Sequence, residues 1–344
     1  MFTLRYRDGA EGLSAVLNVG LMNFGNGEVS VDLTNPISLA IDLDFSQAQP
    51  RHFGAPPATS RPFAVPGFSG SVAHGASCNC QTLTLVPHCN GTHTECVGHL
   101  TREPVDAHRV APLGLLPALL VSIEPANAET SKDSTDPIPQ PGDKLITRQA
   151  LERSWSAAAV AAVPEPHAGT DSGSRTDLRS QRAPELATAA SAPRAPTPFA
   201  PRALVIRTLP NSATKQHQDY SDSTPPYLTR EAANLLVERG IEHLVVDFPS
   251  IDRSHDEGRL TAHRIFFGLP SGSTALAQAN RARATVTELA YIPDTVSDGA
   301  YLLELQVPAL GGDAVPSRPL LYRLSSPSGP SGPASQAPRA RVPS

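Results

Sequence analysis

Proline decides how much of this chain can fold. The 344 residues include 35 prolines, and these gather with alanine, serine, arginine and threonine between about Glu124 and Pro201 and again beyond Leu324. Each proline removes a backbone donor and fixes φ. Segments so poor in large apolar side chains bury too little surface to offset the entropy of ordering. The sequence therefore predicts a single domain over residues 1–324, interrupted by a low-complexity insertion at about 125–200 and followed by a disordered Ser/Pro/Arg tail at 325–344.

Charge narrows the function classes. A formal net charge of −5, with acidic and basic residues interspersed, offers no basic field to a phosphate backbone, which argues against nucleic acid as a partner. No run of about 18 apolar residues is present, and Arg5, Arg7 and Asp8 stand where a secretory signal needs an apolar segment. The expectation is a cytoplasmic protein with no membrane partner.

Periodicity supplies a mixed α/β pattern. Glu28-Val29-Ser30-Val31-Asp32-Leu33 alternates as a strand does, after a Gly25-Asn26-Gly27 hairpin signal. Residues 44–69 read as a long loop carrying His52 and Phe53. Gln81 to Pro87 alternates threonine with leucine and predicts a strand that delivers His88 through His99 at its carboxyl end. Leu113 to Ile123 reads as a turn and a buried strand, and Thr147 as the cap of a short helix through Trp155. Ala203 to Thr208 is a buried-strand run; Thr229 caps a helix that Gly240 ends; Ile241 to Phe248 is the next strand, completing a β-helix-β passage. Ala300 to Leu324 predicts two strands joined by Gly311-Gly312-Asp313.

Chemistry concentrates in His88-Cys89-Asn90-Gly91-Thr92-His93-Thr94-Glu95-Cys96-Val97-Gly98-His99. Imidazole, thiolate and carboxylate are ligands of zinc and related divalent ions, and Gly91 permits the positive φ of a tight turn that converges Cys89 and His93. All four cysteines, Cys78, Cys80, Cys89 and Cys96, fall near this string, and in a cytosolic protein that favours metal or reactive chemistry over disulfides. Cys78 and Cys80 read as small buried thiols. Asp247 and Asp252 read as hydrogen-bonding groups at a strand end.

The string resembles the signature HxGTHxDxPxH of the metal-dependent cyclase family that includes bacterial kynurenine formamidase and isatin hydrolase. Gly91-Thr92-His93 matches it directly, and the later carboxylate and histidine fall on Glu95 and His99. The family's first histidine falls on Cys89, with His88 one residue off register, and its proline falls on Val97. Further segments follow in family order: Asp32 to Ile37 is similar to the DLS-x-P-I opening, Arg202 to Thr208 to the strand that ends in RTG, and Val246 to Asp252 to GIDTPSVD. Ala262-His263-Arg264 matches AHR, and Thr287-Glu288-Leu289 resembles ENL after an apparent insertion at 270–284.

The resemblance implies a swivelling β/β/α domain with a central mixed sheet, assembled as a homo-oligomer. It implies one or two divalent ions, zinc or manganese, held by Cys89 or His88, His93, Glu95, His263 and Glu288. His99 would be the unligated proton carrier, and His52 or Phe53 would contact a small-molecule substrate. The implied reaction is amide hydrolysis, with N-formylkynurenine converted to kynurenine and formate in tryptophan catabolism as the family's best-known case. The alternatives are hydrolysis of another cyclic amide, lactam or ester, or a non-catalytic protein with a structural zinc on Cys78, Cys80, Cys89 and a histidine.

Overall fold

The computed structural model describes residues 5–7, 14–18, 28–161 and 200–325. By its described residues the chain falls into two units, one holding residues 5–7, 14–18, 28–34 and 324–325, the other residues 35–161 and 200–323. In the first unit, strands Arg5–Arg7, Ser14–Asn18 and Glu28–Asp32 pair antiparallel in sequence order. The Gly25-Asn26-Gly27 turn lies outside the described residues, as do residues 162–199 and 326–344 of the expected insertion and tail.

The second unit is built on a mixed sheet. Its strands are β1 (Ile37–Ser38), β2 (His93–Cys96), β3 (Leu115–Ile123), β4 (Ala203–Thr208), β5 (His243–Val246), β6 (Thr285–Glu288), β7 (Gly299–Gln306), β8 (Ala314–Pro316) and β9 (Arg318–Ser325). Across the sheet the order is β9, β7, β3, β4, β5, β6, β2, β8, with β1 on the outer side of β9. The central strands β3, β4, β5 and β6 are mutually parallel; β7, β9, β2 and β8 join antiparallel. Every residue of β4, β5, β6 and β2 is buried; β4 and β5 are largely apolar, as buried parallel strands are, whereas β6 and β2 bury threonine, glutamate and histidine. One core cluster, including Leu39, Leu120, Val205, Val245, Leu303 and Leu321, packs along β3, β4, β5, β7 and β9. The expected mixed α/β class and central mixed sheet are what the chain forms.

The three longest of the described helices are α1 (Arg148–Ala161), α2 (Arg230–Glu238) and α3 (Thr261–Phe267). Thr147 and Thr229 cap α1 and α2 as expected, their hydroxyls accepting from the backbone N–H of Ala150 at 3.2 Å and Ala232 at 3.1 Å. No described helix is long and apolar enough to cross a membrane.

Three expectations need correction. The stretch 125–161, assigned to the insertion, carries the strands Ala126–Asn127 and Lys144–Ile146 and the whole of α1; the apolar spacing of Leu151 and Trp155 outweighs the proline-rich composition around it. The alternating run Gln81–Thr84 does not feed the central sheet. It pairs with Thr59–Pro62 in a largely exposed two-stranded ribbon, and the histidine motif forms its own central strand, β2. Finally, Gly311-Gly312-Asp313 does lie in the connection between the antiparallel neighbours β7 and β9, but that connection is long and also holds β8, which pairs with β2.

Candidate metal centre

Strand alternation puts His93 and Glu95 on one face of β2, and register brings Glu288 of β6 directly opposite His93. On the other face Thr94 meets Thr287, hydroxyl to hydroxyl at 2.7 Å, and Cys96 packs against Ala107 and Val315. Gly91, with φ of 74°, turns the chain into β2, a conformation open to glycine at little cost. Thr92 fixes the entry: its hydroxyl donates to the carbonyl of Leu289 at 2.5 Å and accepts from the N–H of Ile41 at 2.9 Å.

His263 arrives from the first turn of α3, which Asp252 secures. The Asp252 carboxylate accepts from the backbone N–H of Ala262 at 2.7 Å and of His263 at 3.1 Å, and its Oδ2 lies 2.7 Å from His263 Nδ1. Asp252 is thus the hydrogen-bonding group expected. So is Asp247, which accepts from the N–H and hydroxyl of Thr208 and from Lys215 Nζ. The Nδ1 of His93 faces the Gly91 carbonyl at 3.1 Å. Each imidazole therefore carries its proton on Nδ1 and turns Nε2 inward.

The inward atoms converge without satisfying one another. His263 Nε2 lies 2.6 Å from Glu95 Oε1 and 3.6 Å from Glu288 Oε1, and His93 Nε2 lies 3.5 Å from Glu288 Oε2. Despite that proximity, His93 Nε2, Glu95 Oε1 and His263 Nε2 are buried without a hydrogen-bond partner, because close approach lacks the alignment a hydrogen bond needs. An unsatisfied buried polar atom costs about 1–3 kcal/mol, and more when charged. A divalent cation held by His93, Glu95 and Glu288, whose ligand atoms lie within 4.8 Å of one another, would answer to these atoms, and His263 Nε2 adjoins that group through Glu95. Imidazole with carboxylate suits zinc or manganese, so the residues fit the ion that the resemblance implies.

Electrostatics agrees. Burial disfavours the Glu95 carboxylate, yet the neighbouring His263 and His99 hold its pKa well below the ordinary value; Glu288 is likewise lowered against burial and against Glu95, by His263 and His93. Burial opposes charge on His263, but Glu95 and Asp252 hold its pKa well above the ordinary value. The centre is a buried surplus of carboxylate that calls for positive charge.

A second group adjoins the first through Glu95. His88, Glu95 and His99 offer ligand atoms within 4.8 Å of one another, as do His93, Glu95 and Glu288. His88 Nδ1 lies 2.9 Å from Glu95 Oε2, and its Nε2 lies 2.8 Å from Asp313 Oδ2. His99 Nδ1 lies 3.4 Å from the same Asp313 oxygen. Burial works against the charge on His88, but its hydrogen bonds to Asp313 and Glu95 raise it to about 10. In the sequence Asp313 stands only as part of a turn; its place at this site depends on β8 pairing with β2, and no local signal marks it.

The remaining expected residues are placed as follows. Cys89 is buried but belongs to neither ligand group, and burial with the nearby Glu288 pushes its thiol up. Cys78 and Cys80 are exposed rather than buried, and among the described residues no metal-type group includes either, so the structural zinc on these cysteines is not assembled. His52 is 1% exposed with both ring nitrogens unpartnered; burial lowers its pKa, partly offset by Glu288. Its ring contacts Phe53 at a centroid distance of 3.9 Å, and Phe53 is half-exposed with a φ of 54°. A cavity of about 380 Å³ opens over the ends of β4 and β5, beside Thr208, Tyr220 and Phe248, but none of the centre's residues lines it. Unsatisfied atoms, not concavity, locate the chemistry.

Comparison with solved structures finds weak overall likeness across most of the chain. A predicted metal-dependent hydrolase from Bacillus stearothermophilus shares 13% identity at a TM-score of 0.45, covering 84% of this chain and 98% of that one. Isatin hydrolase A from Labrenzia aggregata, bound to benzyl benzoate, shares 14% at 0.44, covering 84% and 93%. Isatin hydrolase A from Ralstonia solanacearum shares 14% at 0.47, covering 84% and 91%. No curated protein matches. The family model described as "Putative cyclase" matches residues 31–253, a span that holds β2 and Asp252, covers well over half of the chain, and ends before His263, Glu288 and Asp313. The chain belongs to this cyclase family.

Proposed function

We propose that this protein is a metal-dependent hydrolase of an amide, with an arylformamide of the N-formylkynurenine type as the substrate class that the family resemblance favours. The observation that carries the reading is the convergence of three unpartnered buried ligand atoms, His93 Nε2, Glu95 Oε1 and His263 Nε2, beside the Glu288 carboxylate. These four residues would hold a divalent ion, zinc or manganese. Such an ion supplies Lewis acidity, activating water near neutral pH and stabilising charge that develops on a carbonyl oxygen.

The chain's own residues do the rest. Asp252 and the Gly91 carbonyl fix the tautomers and ring orientations of His263 and His93. His99, part-exposed and grouped with Glu95 and His88, would carry a proton to the departing nitrogen. His52 and Phe53 form the small-molecule contact, the first offering a ring with two free nitrogens and the second an exposed aromatic face. The assembly is a homo-oligomer.

The test is hydrolysis of N-formylkynurenine by metal-loaded protein, beside a panel of cyclic amides, lactams and aryl esters. We expect turnover of the formamide, and a fall in kcat of about 10²–10⁴-fold in His99→Ala with metal content unchanged. Wild-type rates in His99→Ala would exclude that residue as proton carrier, and turnover confined to the panel would reassign the substrate.

A further inference from the structure

Two histidines of this centre share one construction. His93 and His263 each have one ring nitrogen held by an acceptor, the Gly91 carbonyl in one case and the Asp252 carboxylate in the other, while the second nitrogen faces the carboxylates of the centre. His88 has the same outer clamp, but its inner nitrogen is hydrogen-bonded to Glu95, where the inner nitrogens of His93 and His263 have no hydrogen-bond partner. Its Nε2 is held by Asp313 Oδ2 at 2.8 Å, and its Nδ1 faces Glu95 Oε2 at 2.9 Å. An imidazole clamped at its outer nitrogen by a carboxylate is how proteins orient metal-binding histidines and raise their basicity.

Cys89 shows none of this. Its backbone is tied into the turn at Val86, donating to the Val86 carbonyl at 2.9 Å and accepting from the N–H of His52 at 3.1 Å. A His88 nitrogen lies within 4.8 Å of ligand atoms from both Glu95 and His99; the Cys89 sulfur is in neither three-ligand group, nor is His263, which reaches the centre through its 2.6 Å approach to Glu95. We infer that His88, bonding through Nδ1, is a metal ligand of this chain in place of Cys89, and that Asp313 is the carboxylate that positions it. The inference rests on the metal-centre reading above and not on the choice of substrate. Its rival is a purely electrostatic His88, an imidazolium bridging Glu95 and Asp313 with no bond to metal.

Cobalt(II) and zinc separate these, on the full-length protein. Wild-type protein loaded with cobalt(II) should show ligand-field bands without a thiolate-to-cobalt charge-transfer band in the near ultraviolet, a readout that needs no variant. Zinc affinity, measured by competition with a chromophoric chelator, should be unchanged in Cys89→Ser. It should fall at least tenfold in His88→Gln and about 10–100-fold in Asp313→Asn, with the melting temperature of each metal-free variant close to that of metal-free wild type. A thiolate band that Cys89→Ser abolishes, or zinc affinity in His88→Gln equal to wild type, would overturn the assignment. Zinc uptake that depends on His88 in a protein that hydrolyses no formamide would uphold the ligand and remove the substrate. Failure of wild-type protein to take up either ion would remove both.

Discussion

At the scale of single residues, the centre is a set of atoms that cannot satisfy one another. His93, Glu95 and His263 each hold one polar atom in a buried position without a partner, and each imidazole is locked so that no rotation relieves it. Asp252 is the clearest lock, because it meets both the backbone and the ring of His263. Asp252→Asn keeps the shape but loses the charge and frees the tautomer, so metal affinity should drop about 10–100-fold, read by the same chelator competition. Affinity equal to wild type would mean that His263 is oriented by packing alone. Backbone strain sits close by: Leu260 and Leu289 have φ of 48° and 51°, immediately before α3 and immediately after Glu288, where the surrounding structure must over-determine the chain.

At the scale of elements, what the sequence discloses depends on how local the cause is. The β4 to α2 to β5 passage is legible because a β-branched run, a threonine cap and Gly240 each act over a few residues. Strand β2 is not, because His93 to Cys96 becomes a strand only through β6 and β8, partners some 190 and 220 residues away. The same pairing carries Asp313, whose carbonyl accepts from Cys96 N–H at 3.0 Å, and so hid it from sequence reasoning. His93, Glu95, His263 and Glu288 were reached through the motif resemblance, whereas their orientation by Gly91 and Asp252 was not.

Strand β5 contributes a titration of its own. His243 is buried, bonded through Nδ1 to the Thr285 hydroxyl at 2.9 Å, and burial lowers its pKa to about 4, partly offset by Glu242. A depressed folded-state value means that the unfolded chain takes up the proton first as pH falls. The contribution of His243 is therefore fully present above about pH 6.5 and is lost progressively as pH falls toward about 4. Urea unfolding at pH 7 and pH 5 should show His243→Gln losing less stability on acidification than wild type. An identical loss in the two proteins would show that His243 is not the group that titrates.

At the scale of the molecule, the second unit delivers its ligands from both ends of its sequence. The carboxyl end of β6, the strand β2 and the first turn of α3 place Glu288, His93, Glu95 and His263 around one point, while the large core cluster along β3, β4 and β7 involves none of them. A core packed apart from the ligands is what a catalytic centre allows, and the metal-free protein is expected to stay folded. The proline-rich composition that dominates the chain on first reading concerns other residues.

The most direct test is a zinc titration of chelator-stripped protein, followed by metal analysis after gel filtration and by far-ultraviolet circular dichroism throughout. The account predicts a folded metal-free protein that takes up at least one equivalent, and a Glu95→Gln variant, equally folded, that retains well under one. A stripped protein that is unfolded, or a folded one that binds no ion, would contradict it.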